Sequence, residues 1–173
     1  MKTILSEQQL ALTVKRLAYQ IWENNVSLTD TVIIGLQPRG IFLSDRIVHE
    51  LGRITDPQGI RYGKLDITFY RDDVRTSLHI ANSTDIPFSI ENRKVVLIDD
   101  VLYTGRTIRA ALDALLDFGR PSKVSLCVLI DRRFNRELPI QPDYAGKTID
   151  TFVSEKVKVQ WKEKDGEDGV VVV

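Results

Sequence analysis

The segment Val95–Thr107 reads V-V-L-I-D-D-V-L-Y-T-G-R-T, and its interpretation decides the fold. Four apolar residues lead into two adjacent acids, Asp99 and Asp100, and then into a short turn rich in hydroxyls. An all-apolar run of this length is the pattern of a parallel strand buried on both faces. Parallel sheets hold ligands beyond the carboxyl ends of their strands, and a helix starting there offers N–H groups to an anion. Side-by-side carboxylates repel and need a cation or hydroxyl donors, which vicinal ribose hydroxyls would supply, with Mg2+ held nearby. Thr104, Gly105, Arg106 and Thr107 add a hydroxyl, a permissive backbone, a cation and a second hydroxyl, a set that suits a terminal phosphate. The chain contains neither G-x-x-x-x-G-K-[ST] nor G-x-G-x-x-G, so the stretch points to a sugar phosphate more than to a nucleoside triphosphate or dinucleotide.

Working outward, the helical spacing of Ile108, Ala111, Leu112 and Leu115 predicts a helix ended by Gly119-Arg120-Pro121. Val124–Ile130 is a second apolar strand, with Asp131-Arg132-Arg133 at its carboxyl end. Upstream, Thr31–Leu36 is another short buried strand, broken by Gln37-Pro38-Arg39-Gly40. Leu43, Ile47, Val48 and Leu51 give a helix that Gly52 is expected to stop. Near the N-terminus, Ser6 and Gln9 form a capping box before a helix carrying Leu10, Val14, Leu17 and Ile21. Lys64–Tyr70 alternates and reads as a strand with one buried face. Arg71–Pro87 has no period, and a loop that long inside a compact domain is disordered or functional. After Asp131 the chain reads as irregular until Val157, Val159 and Trp161 alternate with polar neighbours, and Val170–Val173 is an edge hazard unless it pairs back. Strands alternating with helices predict a mostly parallel α/β sheet with the 37–40 and 99–106 loops on one edge.

The chain's 173 residues suit one domain spanning 1–173. Lys+Arg and Asp+Glu are 24 each, so bulk charge does not draw it to nucleic acid, although a local basic face is allowed. A single cysteine, Cys127, excludes an internal disulfide and fits a reducing cytoplasm, where it reads as a small buried strand residue. No apolar run is long enough for a membrane helix. The Arg132, Arg133 and Arg136 cluster reads as solvated surface, and Trp22 and Trp161 read as packing or subunit-contact residues.

Val95–Thr107 resembles the signature of type I phosphoribosyltransferases, enzymes that use 5-phosphoribosyl 1-diphosphate (PRPP). Asp66–Asp73, Asp100–Arg106, Phe118–Pro121 and Arg136–Ile140 extend the likeness to the subfamily of pyrimidine operon regulators with uracil phosphoribosyltransferase activity. The resemblance implies the type I fold, a mostly parallel twisted sheet flanked by helices with a small hood of late-chain residues. It implies that Asp99 and Asp100 hold the ribose hydroxyls, and that PRPP binds along Asp99, Asp100, Val101, Leu102, Tyr103, Thr104, Gly105, Arg106 and Thr107. Pro38, Arg39 and Gly40 match the pyrophosphate loop, with Arg39 aimed at the leaving group. Arg71, Asp72 and Asp73 would open a flexible lid over about 71–87. The base would sit by the segment after Asp131. Mg2+ would arrive mainly through PRPP, with no direct protein ligand, and the products would be UMP and pyrophosphate.

The same resemblance implies a homodimer or dimer of dimers. It also implies an RNA face near Lys15, Arg16 and Arg136 that acts with bound UMP. Four positions depart from the subfamily pattern. Tyr19 and Asn135 stand where histidines are usual, Pro38 replaces a threonine and Gln141 an arginine. These changes remove donors and cations that phosphate contacts require, and they weigh against the RNA role.

Overall fold

In a computed structural model of the protein, which describes residues 1–26, 28–70 and 83–173, the elements follow in order. They are β1 (Lys2–Leu5), α1 (Glu7–Asn24), β2 (Thr31–Leu36), α2 (Gly40–Ile54), β3 (Arg61–Leu65), β4 (Lys94–Leu102) and α3 (Arg106–Leu115), then β5 (Lys123–Arg133), β6 (Tyr144–Asp150), β7 (Val157–Gln160), α4 (Lys162–Asp165) and β8 (Gly169–Val172). Five strands form a parallel sheet in the order β3-β2-β4-β5-β6, with β4 central. Side chains alternate across it. Ile33, Val96, Ile98, Cys127 and Leu129 face α1, α2 and the small sheet. Val32, Ile34, Val95, Leu97 and Val128 face α3 and Ile90. No helix among the described residues is long and apolar enough to cross a membrane.

The capping box forms as expected: Ser6 Oγ accepts the Gln9 N–H at 3.3 Å and Gln9 Oε1 accepts the Ser6 N–H at 2.9 Å. Ser6→Ala should therefore cost about 1 kcal/mol in urea unfolding, since one helix-end donor loses its acceptor.

Several boundaries differ from the sequence expectation. The strand expected at Lys64–Tyr70 lies earlier, at Arg61–Leu65, and Thr68–Tyr70 is a turn of 3-10 helix. The cause is Asp66, whose Oδ1 accepts both the Thr68 N–H at 3.1 Å and its hydroxyl at 2.7 Å, a local bond that competes with strand pairing. Gly52 does not stop α2, which runs on to Ile54; instead the missing side chain leaves room for Pro57. Asp99 and Asp100 do not close β4 but lie inside it, since the strand continues to Leu102. The region taken as irregular contains β6, the parallel edge strand beside β5.

β8 is no exposed edge. It lies between β1 and β7 in a three-stranded antiparallel sheet. Two arginines of the α2 region fasten the β7–β8 hairpin to the main body. Arg46 pairs with Glu163 at 2.7 Å and with Asp168 at 2.9 Å, and its guanidinium lies 4.8 Å from the centre of the Trp161 ring. Trp161 is fully buried, 6.2 Å from Phe42 between ring centres. Arg39 makes the second attachment.

Candidate active site

Parallel register builds the site. β2 and β4 pair from Thr31↔Lys94 to Gly35↔Ile98, so the chain leaving β2 emerges beside the two acids. Gln37–Pro38 is a cis peptide, and α2 begins two residues later. Gly40 is pressed against β4: a Cβ there would lie 2.8 Å from the Ile98 carbonyl oxygen and 3.0 Å from Asp99 Oδ1. Only a residue without a side chain lets the 37–40 loop approach the acid pair this closely.

The two acids have different surroundings. Both are buried. Asp100 Oδ2 lies 3.5 Å from Arg39 Nε. Burial raises the Asp100 carboxyl above the ordinary carboxylate range, and the Arg39 charge opposes that rise. The indole N–H of Trp161 also favours the ionised form of Asp100, although it meets no acceptor at full hydrogen-bond geometry among the described residues. Asp99 Oδ1 accepts the Asp100 N–H at 2.9 Å.

Arg39 spans two parts of the fold. Besides Asp100, its Nη2 donates to the Val159 carbonyl at 2.6 Å and reaches Asp165 Oδ2 at 3.3 Å. The Trp161 backbone N–H and then the Arg39 guanidinium hold the Asp165 carboxyl below its usual range, against a contribution from desolvation.

On the other side of the acids, a cavity of about 350 Å³ is lined by Asp99, Val101 to Ile108 and Glu137. It takes in Val101, Leu102, Tyr103, Thr104, Gly105, Arg106 and Thr107, so the turn singled out in the sequence surrounds one concavity. Gly105 caps α3 with φ +93°, a left-handed backbone that disfavours other residues. Thr104 Oγ1 accepts the Arg106 N–H at 3.3 Å, and Arg106 Nε pairs with Glu137 Oε2 at 2.6 Å. Glu137 lies in the Arg136–Ile140 stretch that carries the resemblance, but no role at the site was expected of it. It comes from a segment more than thirty residues downstream, so its contact with Arg106 is made only by the fold.

The basic cluster is not the solvated surface expected. Arg132 is buried with its guanidinium 4.1 Å from the Tyr103 ring centre, donating to Thr151 Oγ1 at 2.9 Å and the Glu155 carbonyl at 3.0 Å. Arg136 is half-buried and donates to Asp131 Oδ1 and the Tyr103 carbonyl, each at 2.6 Å. Arg133 alone of the three is exposed, paired with Asp150 at 2.8 Å. Lys15 and Arg16 are exposed on α1, with Arg16 also donating to the Ala145 and Gly146 carbonyls at the β6 edge. The expected lid residues Arg71, Asp72 and Asp73 lie outside the described residues. The end of that segment is fastened back: Asp85 pairs with Lys64, and Thr84 Oγ1 accepts the Asp66 N–H at 3.0 Å.

Residues 1–164 match the family model described as a phosphoribosyl transferase domain. The chain is 45% identical over 175 residues to the "Bifunctional protein pyrR" of Enterococcus faecalis, covering 99% of this chain and 96% of that one. It is 46% identical over 174 residues to "Bifunctional protein PyrR" of Pelotomaculum thermopropionicum, covering 98% and 94%. Among solved structures, a hypoxanthine phosphoribosyltransferase variant of Trypanosoma cruzi in a ternary substrates complex superposes with TM-score 0.78 at 19% identity, covering 100% of this chain and 95% of that one. One from Staphylococcus aureus gives 0.69 at 21%, covering 87% and 78%. At these identities the structural likeness bears on the fold.

Proposed function

This chain belongs to the phosphoribosyl transferase family, and on that premise we propose that it transfers the phosphoribosyl group of PRPP to uracil, releasing UMP and pyrophosphate. The observation that carries the reading is the meeting of three loops at one sheet edge: Gly40 against Asp99, Arg39 on Asp100, and the 101–108 turn around the adjoining cavity. The near full-length identity to the bifunctional relatives, taken with the sequence resemblance to pyrimidine operon regulators with uracil phosphoribosyltransferase activity, supports uracil as the base.

In this reading Asp99 and Asp100 accept hydrogen bonds from the ribose hydroxyls. Thr104, Gly105, Arg106 and Thr107 receive the 5-phosphate, where the α3 N-terminus adds partial positive charge. As the bond to pyrophosphate breaks, the sugar takes on oxocarbenium character, and catalysis is positioning plus stabilisation of charge on the leaving group. Arg39 is the cation placed for that purpose. It would exchange Asp165 for a diphosphate oxygen. Mg2+ would come mainly with PRPP, carried by the substrate phosphates, with the buried Asp99 and Asp100 carboxylates nearby. When bound with PRPP, Mg2+ would neutralise the diphosphate charge. The segment beginning at Arg71, Asp72 and Asp73 is assigned to water exclusion. A cytoplasmic setting is consistent with Cys127 being a free cysteine, since reducing compartments keep thiols unpaired. Self-association as a homodimer or dimer of dimers is supported by Leu12, Tyr19, Trp22 and Val26, apolar residues exposed along one stripe of α1 and its end.

The test is a base panel. With PRPP and Mg2+, labelled uracil should yield UMP, while hypoxanthine and guanine yield no nucleotide. Nucleotide formed only from a purine would overturn the base assignment.

A second reading, RNA binding in the presence of UMP, is favoured by the bifunctional naming of the relatives and by the exposure of Lys15. Leader RNA titrated with UMP at fixed salt should bind more tightly than unrelated RNA. Equal affinities would remove this reading.

A further inference from the structure

We propose that Arg136 is a positioning residue for phosphoribosyl transfer, and that it acts by turning the backbone N–H groups of the Tyr103–Gly105 turn toward the phosphate. The inference rests on the reading of that turn as the 5-phosphate cradle, and it adds a residue outside the turn on which the cradle depends.

The segment Arg136–Leu138 lies against the turn, with Glu137 reaching the cavity rim. Arg136 Nη1 donates to the Tyr103 carbonyl at 2.6 Å. The backbone N–H groups of Glu137 and Leu138 both donate to the Thr104 carbonyl, at 2.9 and 3.2 Å. Two consecutive carbonyls are thus held by three donors from one strap. In a trans peptide the C=O of one residue and the N–H of the next point in opposite directions. The sole cis bond among the described residues is Gln37–Pro38. Fixing the Tyr103 carbonyl on the strap side therefore aims the Thr104 N–H the other way, and fixing the Thr104 carbonyl does the same for Gly105. Successive N–H groups converging on one side form an anion-binding concavity.

Arg136 is itself held. Its Nη2 bonds Asp131 Oδ1 at 2.6 Å, and Asp131 is buried at the end of β5. The arginine fork thereby ties the turn after β4 to the neighbouring strand. Two acceptors in different directions suit a planar guanidinium and not an ammonium, which offers a point charge on a flexible stem. Glu137 adds a second link, through its pair with Arg106 at the cavity wall.

The test compares wild type, Arg136→Gln and Arg136→Lys in the uracil reaction, with KM measured for each substrate. Losing a charge-supported hydrogen bond that orients the cradle should raise the KM for PRPP about tenfold in R136Q. The KM for uracil should rise less than that for PRPP, because the three strap hydrogen bonds end on the carbonyls of the phosphate turn. R136K should fall between the two proteins. It retains the charge facing Asp131 and so keeps the comparison available if R136Q does not fold. Titration of UMP by calorimetry should show the same order of affinities. Unchanged PRPP KM in the variants, or equal rises for both substrates, overturns the positioning role and leaves the functional reading standing. A wild-type protein that binds neither PRPP nor UMP overturns both.

Discussion

Asp100→Asn should lower kcat/KM for UMP formation by about a hundredfold or more, while the melting temperature stays level or rises. Both halves come from one environment. The carboxylate is buried, and Arg39 at 3.5 Å is the cation beside it. An amide keeps the shape but replaces one ribose-hydroxyl acceptor with a donor, and it loosens Arg39 from the acid pair. Stability moves in the other direction. The folded chain keeps the Asp100 proton to higher pH than the unfolded chain does, so ionisation costs stability as pH rises from 3.8 through the raised value. Asparagine has no such ionisation. The gain of D100N over wild type should therefore be larger at pH 7 than at pH 4 in thermal melts. A variant that melts lower at both pH values, or that keeps wild-type activity, contradicts this view of Asp100.

Gly40→Ala should be the most damaging small substitution at the site. The new Cβ meets the Ile98 backbone oxygen at 2.8 Å and the Asp99 Cα at 3.0 Å, and backbone atoms in mid-sheet do not move aside cheaply. Overpacking of this kind costs about 1–3 kcal/mol. The loss of activity should exceed what that destabilisation explains, because relieving the clash displaces Asp99 or the Arg39 loop, and a shift of about 1 Å can cost a hundredfold in rate. Gly59→Ala is the control: nothing lies within 4 Å of its added Cβ, and neither stability nor activity should change measurably. Equal behaviour of the two variants in urea unfolding and in the transfer assay would show that the close approach at Gly40 is unimportant.

The features that local patterns encode were legible in the sequence. The apolar run before Asp99, the Ser6 capping box and the loop-bearing strands β2, β4 and β5 all follow from neighbouring residues. Strand β6 was not legible. Tyr144–Asp150 mixes alanine, glycine, lysine, threonine and aspartate with two large apolar side chains, and its strand character comes from pairing with β5. β1 is likewise made a strand by β8, at the opposite end of the chain. Asp66 misled because its side chain bonds forward to Thr68 and ends the strand that the alternation suggested.

The candidate site divides in the same way. Asp99, Asp100 and the Thr104–Thr107 turn stand together in sequence. The partners that give them their environment, Trp161, Asp165, Asp131 and Glu137, come from distant segments. Arg132 and Arg136 look like surface cations on composition alone. The burial of Arg132 and the inward bonds of half-buried Arg136 depend on the Tyr103 ring and the Tyr103 carbonyl, which only the folded chain brings to them.

The most direct test of the central claim is a crystal structure with UMP bound. The account predicts the 5′-phosphate in the cavity beside Thr104–Thr107, within hydrogen-bond reach of the turn's backbone N–H groups, and the ribose hydroxyls on Asp99 and Asp100. UMP bound elsewhere, with that cavity holding only solvent, would contradict it.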